Sequence, residues 1–268
     1  MKSNKLLPLL VTSLLPLVGC DNPDKIIVVG ATPSPHAEIL NSQVVQKYIK
    51  EQGFKLKIKV YQDYVTPNKA LNDGGIDANY FQHIPYLQEE IETKGYNISA
   101  VAKIHYEPLN LYSKNEVISY TNAKISIVND VSNVTRAFEL LKVFEIIDSY
   151  DVTNFNAQHP VYTTTNNVTI QCIDPGLLHH KVEDGELAVI PGNYALTAWG
   201  GTKATDYRVL GETEAVAGQK SNIIASRSND INSEKINVLV GALAQASLGQ
   251  FIQDSYGPTV VYSFTDIR

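Results

Sequence analysis

The chain has 268 residues, with 22 Lys and Arg against 28 Asp and Glu and a formal net charge of −6. That balance excludes a basic surface of the kind nucleic acids require. The length is more than one simple core fills, so two lobes are expected.

Residues 1–19 read as a secretory leader, with Lys2 and Lys5 at the start, an apolar run over 6–18 broken by Pro8 and Pro16, and Gly19 at the end. The run falls short of the roughly 20 residues a helix needs to cross a bilayer. Leu17-Val18-Gly19-Cys20 resembles a lipobox, which implies acylation of Cys20 and anchoring of the mature chain at a membrane surface. Asp21 resembles the signal that keeps Gram-negative lipoproteins on the inner membrane. Without its 19 leader residues the chain keeps 249, of which 20 are basic and 28 acidic. With Cys20 acylated, Cys172 is left without an intrachain partner and is expected as a buried free thiol. The only methionine is Met1, so the mature chain has none. Such a composition suits a protein made when methionine is scarce, and compositional drift explains it equally well.

Ile26-Ile27-Val28-Val29 is continuously apolar, as in a central strand covered on both faces. After the loop Gly30-Ala31-Thr32-Pro33, Ser34 is placed to cap a helix with Pro35 at its first position. Leu40, Val44, Val45, Tyr48 and Ile49 give that helix one apolar face as far as Gly53. Residues 54–60 alternate Phe54, Leu56, Ile58 and Val60 with three lysines, which predicts a strand near a sheet edge.

Asp73-Gly74 then closes a helix and introduces a short apolar strand ending at Asn79-Tyr80. The same phrase recurs as Asp184-Gly185, strand 187–190 and Asn193-Tyr194. Ligands of open α/β sheets bind beyond such strand ends, so the echo predicts two similar lobes around one small molecule. Between the repeats, a strand at 124–128, a polar loop at 129–133 and a helix through Arg136, Phe138, Leu140 and Leu141 begin the second lobe. Residues 154–167 lack periodicity and read as loop or weak strand. No linker separates the lobes, so 109–113 and 221–226 are expected to cross between them. A helix through Ile236, Leu239, Val240 and Leu243 is expected to return to the first lobe.

Arg136 falls near a helix start, where the macrodipole disfavours a cation, so an anion is expected beside it. Its fork suits a carboxylate. Glu139 is the nearest acidic partner in sequence, and without a buried partner Arg136 could be removed with little effect on unliganded stability. The segments 79–83 and 104–108 set aromatic and imidazole groups beside polar ones. His179, His180 and Glu183 have helix-compatible metal spacing, with His83 and His105 as possible additions, but the donor set does not specify a zinc site. No serine-hydrolase elbow, phosphate loop or zinc-protease motif occurs, so no catalysis and no cofactor are expected.

Taken in order, 29–40, 77–87, and His105-Tyr106-Glu107-Pro108 before Leu111-Tyr112-Ser113 resemble the NlpA family of substrate-binding lipoproteins. The resemblance covers nearly the whole mature chain. It implies an α/β fold of the periplasmic-binding-protein type, two lobes each with a mostly parallel sheet flanked by helices, and a ligand cleft between them that closes by hinge motion. The expected division is a leader at 1–19, the first lobe at 20–112, the second at 113–222 and a return at 223–268.

By the same resemblance the ligand is L-methionine, delivered to the permease and ATPase subunits of an ABC importer. The receptor is expected to be a monomer held by acylated Cys20, facing the periplasm or cell exterior. Tyr80, Phe81, His83 and His105 are implied around the ligand side chain, Arg136 at its carboxylate, and Asn193 and Asn222 at its amino-acid backbone groups. Val131, Thr135 and Pro191 stand where the family usually has Pro, Gly and Asn, which leaves another small amino acid, a methionyl dipeptide or a metal ion as alternative ligands. A lipoprotein acting through protein contacts alone is the alternative of another class.

Overall fold

The computed structural model describes residues 22–117 and 119–268; the leader and Cys20 lie outside the described residues. The chain opens with β1 (Ile26–Ala31), whose Ile27, Val29 and Ala31 are fully buried. The helical stretch that follows is divided into α1 (Glu38–Asn41) and α2 (Gln43–Glu51). The break falls at Ser42, whose backbone is extended (φ −56°, ψ 147°) and whose hydroxyl accepts the Val45 N–H at 3.3 Å, capping α2 anew. Ser34 does not cap the first helix: its hydroxyl donates to the Glu38 carboxylate. Gly53 (φ +78°) terminates the stretch as expected.

Next come β2 (Lys55–Val60), α3 (Thr66–Asn72), β3 (Ala78–His83), α4 (Ile84–Lys94) and β4 (Ile98–Tyr106). The chain then passes into β5 (Asn110–Tyr112), β6 (Lys124–Val128), α5 (Val131–Val143), the hairpin β7 (Ser149–Asp151) and β8 (Val161–Thr163), and β9 (Thr169–Ile173). It continues through α6 (Leu178–Glu183), β10 (Leu187–Ile190), α7 (Gly192–Asp206), β11 (Arg208–Gly211) and α8 (Glu214–Ala217). β12 (Asn222–Arg227), α9 (Glu234–Leu243), α10 (Ala246–Tyr256) and β13 (Val261–Asp266) complete it.

Two sheets organise these elements: β13-β4-β12-β3-β1-β2 and β11-β5-β10-β6-β9. The exposed lysines of β2 are explained by its place at the edge of the first sheet. In the first sheet β1, β2, β3 and β4 run one way, and in the second β6, β9, β10 and β11 do. β12 and β5 run the opposite way because each is the first strand after a crossing. A chain arriving from the cleft must run away from it; β13, which closes the first sheet after α9 and α10, also runs antiparallel to β4.

The sheets change at 107–109 and again at 212–221, whereas the sequence had suggested 112/113 and 222/223. The core of the first lobe takes in Ile236, Leu239, Val240 and Leu243 of α9. A separate core around Phe138, Leu141, Ile125 and Ile127 fills the second lobe.

The repeated helix-ending phrase holds only at its start. Asp73-Gly74 and Asp184-Gly185 both follow helices, each glycine with positive φ. Asn79 and Tyr80, however, lie inside β3, because its central position gives it pairing partners as far as His83. Asn79 Nδ2 donates to Asn68 Oδ1 at 2.9 Å and its Oδ1 accepts from Gln82 Nε2 at 3.0 Å, a buried amide cluster that joins α3 to β3.

Phe138 is fully buried and stacked on Tyr150, with ring centroids 5.3 Å apart and planes at 9°. Phe138→Ala should therefore cost about 3–5 kcal/mol, through lost burial and the cavity left behind. Thermal and denaturant unfolding of the two proteins measures this, and a loss below about 1 kcal/mol would mean that the site collapses around the smaller side chain.

Candidate functional site

The ends of the strands line a cavity between the lobes with Tyr64, Phe81, Gln82, His83, Tyr86, Glu107, Asn133, Arg136, Pro191, Gly192, Asn193 and Asn222. Phe81 to His83 end β3, Glu107 follows β4, Asn193 follows β10, Arg136 lies in α5 after β6, and Asn222 opens β12. The cavity volume is about 30 Å³, room for one or two water molecules and no more. An amino-acid ligand thus needs the lobes to part or the lining to swing aside.

Hydrogen bonds hold the lobes against each other and against the connection between them. His83 Nδ1 accepts the Tyr86 N–H at 3.2 Å, capping α4, so its Nε2 carries the proton and donates to Asn133 Oδ1 at 3.2 Å. Asn133 is held in turn by its Nδ2 bond to Asp130 Oδ1 at 3.0 Å, and Asp130 caps α5 through the Asn133 N–H. Tyr64, from the loop after β2, donates its hydroxyl to Asn193 Oδ1 at 2.8 Å and packs edge-on against Tyr194, 5.2 Å between centroids. Arg136 Nη2 donates to the Glu107 carbonyl at 2.7 Å.

The anion expected beside Arg136 is Glu212, not Glu139. Nε reaches Glu212 Oε1 at 2.6 Å and Nη2 reaches Oε2, leaving Nη1 as the nitrogen outside that fork. Glu212 Oε2 also accepts the Leu109 N–H at 2.8 Å, which fixes the carboxylate behind the guanidinium. The pair is buried, so the idea that Arg136 could be removed without cost to the unliganded fold is overturned: deleting one member of a buried pair costs about 3–5 kcal/mol.

Of the seven ligand residues expected from the sequence, Phe81, His83, Arg136, Asn193 and Asn222 line the cavity, while Tyr80 and His105 stand one layer behind. The Tyr80 hydroxyl bonds His105 Nδ1, and His105 Nε2 bonds Glu107 Oε1 at 2.9 Å. Asn222 Nδ2 donates to the same oxygen at 3.4 Å. His36 Nδ1 bonds Thr32 Oγ1 at 2.8 Å, and its Nε2, buried and without a hydrogen-bond partner, lies 3.7 Å from Glu107 Oε1. Gly192 packs so closely on Glu107 that any Cβ there would stand 2.5 Å from Oε2. Sequence reasoning missed Tyr64, Glu107 and Glu212; only the His105-Tyr106-Glu107-Pro108 motif carried a signal for one of them.

Among the described residues one cluster has metal-ligand spacing, His36, His105 and Glu107, with ligating atoms within 4.8 Å. His105 and Glu107 already use those atoms on each other. In the surface group weighed from the sequence, the His179 and His180 rings lie 3.8 Å apart between centroids and His180 Nδ1 is 3.6 Å from Glu183 Oε2.

Burial pushes His36, His83 and His105 down to about 3, so all three are neutral at ordinary pH; Arg136 pushes His83 further the same way, while Glu107 opposes the shift of His36. Burial raises Glu107 and Asp130. An unfolded imidazole takes a proton near 6.5. Between that pH and about 3 the unfolded chain binds protons that the folded chain refuses, so stability present above about 6.5 is lost as pH falls. Each histidine contributes up to about 1.4 kcal/mol per pH unit, offset in part by the raised carboxyls. The melting temperature should drop from pH 7 to pH 5, and His36→Gln should flatten that dependence by about one proton. Equal pH slopes in the two proteins would contradict a buried neutral His36.

Comparison with known proteins agrees with this architecture. The NlpA lipoprotein family model matches residues 27–264. The methionine-binding lipoprotein MetQ of Bacillus subtilis is 33% identical over 256 residues, 91% of this chain and 90% of that protein. A nutrient-binding protein from Burkholderia cenocepacia, solved bound to methionine, superposes with a TM-score of 0.79 at 31% identity, covering 89% of this chain and all of that one. A periplasmic substrate-binding protein of an ABC transporter from Coxiella burnetii gives 0.78 at 30%, covering 88% of this chain and all of that one. With a family model spanning both sheets and relatives matched nearly end to end, the chain belongs to the NlpA lipoprotein family.

Proposed function

We propose that this protein is a membrane-anchored receptor that captures L-methionine outside the cytoplasmic membrane and hands it to the permease and ATPase subunits of an ABC importer, working as a monomer and catalysing nothing. The observation that carries the reading is the cavity shared by the two lobes. The first lobe lines it with Phe81, Tyr64, Tyr86 and Asn222, and the second with Arg136 and Asn193. A flexible thioether suits aromatic walls, since sulfur against ring edges adds about 0.3–1.5 kcal/mol beyond burial. An α-carboxylate suits the guanidinium nitrogen that Glu212 leaves outside its fork.

In this reading Phe81 and His83 meet the ligand side chain, and Tyr80 and His105 support it from behind. Asn193 and Asn222 bond its backbone groups, which requires Asn193 to exchange the Tyr64 hydroxyl for ligand. The relatives' names and the one solved with methionine support the ligand; the ABC-transporter neighbour supports the destination.

Arg136→Ala should abolish detectable methionine binding and also lower the melting temperature of the unliganded protein, because Glu212 is left buried without its cation. Arg136→Lys should recover only part of both, for want of the fork. Titration calorimetry and thermal melting on ligand-stripped protein measure the two effects separately. A loss of affinity under tenfold in Arg136→Ala would assign Arg136 to the fold alone.

Anchoring should depend on Cys20, the acylation point in the proposal. Expressed with its leader in a bacterial host, Cys20→Ala should stay unprocessed or lose its lipid, read by mass spectrometry of the membrane fraction. The same lipidated species in both proteins would contradict it.

A further inference from the structure

Glu107 is the carboxylate that lines the cavity. We propose that Glu107 is the acceptor for the ligand's α-ammonium, so that this receptor selects molecules with a free, protonated amine. The inference rests on the amino-acid reading above and adds the group that decides which amino acids and analogues are accepted.

The geometry carries it in three steps. Glu107 lines the cavity yet is only 5% exposed, so its carboxylate faces the ligand space without bulk water to solvate it. Its hydrogen bonds come from neutral donors: His105 Nε2 at 2.9 Å and Asn222 Nδ2 at 3.4 Å. The imidazoles of His36 and His105 stay uncharged beside it, and the side-chain fork of Arg136 is taken by Glu212. A buried carboxylate ringed by neutral donors is short of a cation, and a ligand ammonium is the cation that the cleft can admit. Burial raising Glu107 agrees with that shortage.

Neighbouring residues position the acceptor. The Tyr80 hydroxyl fixes the His105 ring, and His105 fixes Oε1. Gly192 lets the backbone before Asn193 lie directly against Oε2, where a side chain would collide. Arg136 bonds the carbonyl of Glu107 itself, so the carboxylate-binding and ammonium-binding groups are held in one frame. A zwitterion presents its two charges on one carbon, a spacing that a frame of this kind can recognise.

Calorimetry on the ligand-stripped protein tests this with L-methionine and its hydroxy analogue, 2-hydroxy-4-(methylthio)butanoate, which replaces the ammonium by a neutral hydroxyl at nearly the same size. The wild type should prefer L-methionine by about a hundredfold or more, and Glu107→Gln should reduce that preference to under about tenfold, chiefly by weakening methionine. A purely structural role for Glu107 would weaken both ligands alike and keep the preference, which overturns the proposal. Should Glu107→Gln fail to fold, Glu107→Asp decides: drawing the charge back by one methylene should weaken methionine at least tenfold and the hydroxy analogue under threefold, and equal losses overturn the proposal. Methionine bound by the wild type without preference over the hydroxy analogue overturns this inference alone. No methionine binding in the wild type overturns the ligand reading and this inference with it.

Discussion

The Arg136 guanidinium is the point on which both connections between the lobes converge. Its Nη2 bonds the Glu107 carbonyl in the first connection, and its fork holds Glu212, the first residue of the second. Glu212 in turn accepts the Leu109 N–H and donates its own N–H to the Leu109 carbonyl at 2.9 Å, so the two connections are stapled side by side. A periplasmic-binding fold must bend at these connections to admit a ligand. Here the bend, the buried Arg136 and two carboxylates, Glu107 and Glu212, come together.

That arrangement makes the electrostatics of the cleft a matter of partners rather than net charge. With the chain at −6 overall, acidic groups are plentiful, and Glu107 and Glu212, both buried, and the half-buried Asp130 lie around one arginine. Asp130 is answered by the amides of α5 that it caps, with Oδ2 left without a partner. Glu212 is answered by Arg136. Glu107 alone relies on neutral donors, and the histidines nearest it cannot help, because the burial that strips its water also keeps them unprotonated.

The parts of the fold legible in the sequence were those fixed by local period. The apolar run of β1, the lysine alternation of β2, the amphipathic faces of α2, α5 and α9, and the run of β10 all appear where residue spacing placed them. β9, with Thr169, Gln171 and Cys172 at an edge, has too mixed a pattern to stand out, and the β7–β8 hairpin is three residues a side. Ser42 divides a helix whose apolar spacing runs straight through it, since capping chemistry there outweighs periodicity. For the site, Arg136 was visible because a cation near a helix start is anomalous. Glu212 and Tyr64 were not, because each acts across a separation of 76 or 129 residues that only the crossings bring together.

Closure in this form rests on bonds between the lobes that a ligand would have to replace. The bonds from His83 to Asn133 and from Tyr64 to Asn193 are neutral and contribute about 0.5–1.5 kcal/mol each, while the charged Arg136 guanidinium ties the second lobe to the Glu107 carbonyl of the connection. A ligand shifts such an equilibrium only by the difference between its affinities for the open and closed forms. Contacts to one lobe are made in both forms and cannot drive closure, however tight they are. In the proposed reading the groups that can do so are those reaching the ligand only when the lobes meet: Phe81 and Asn222 of the first lobe against Arg136 and Asn193 of the second. Tyr64 is the element to displace, since its ring sits among Phe81, Tyr86 and Tyr194 and its hydroxyl occupies Asn193. A side chain that fills the space of that ring while its polar end frees Asn193 exchanges one set of contacts for a better one, and the fit of that exchange governs affinity more than cavity size does.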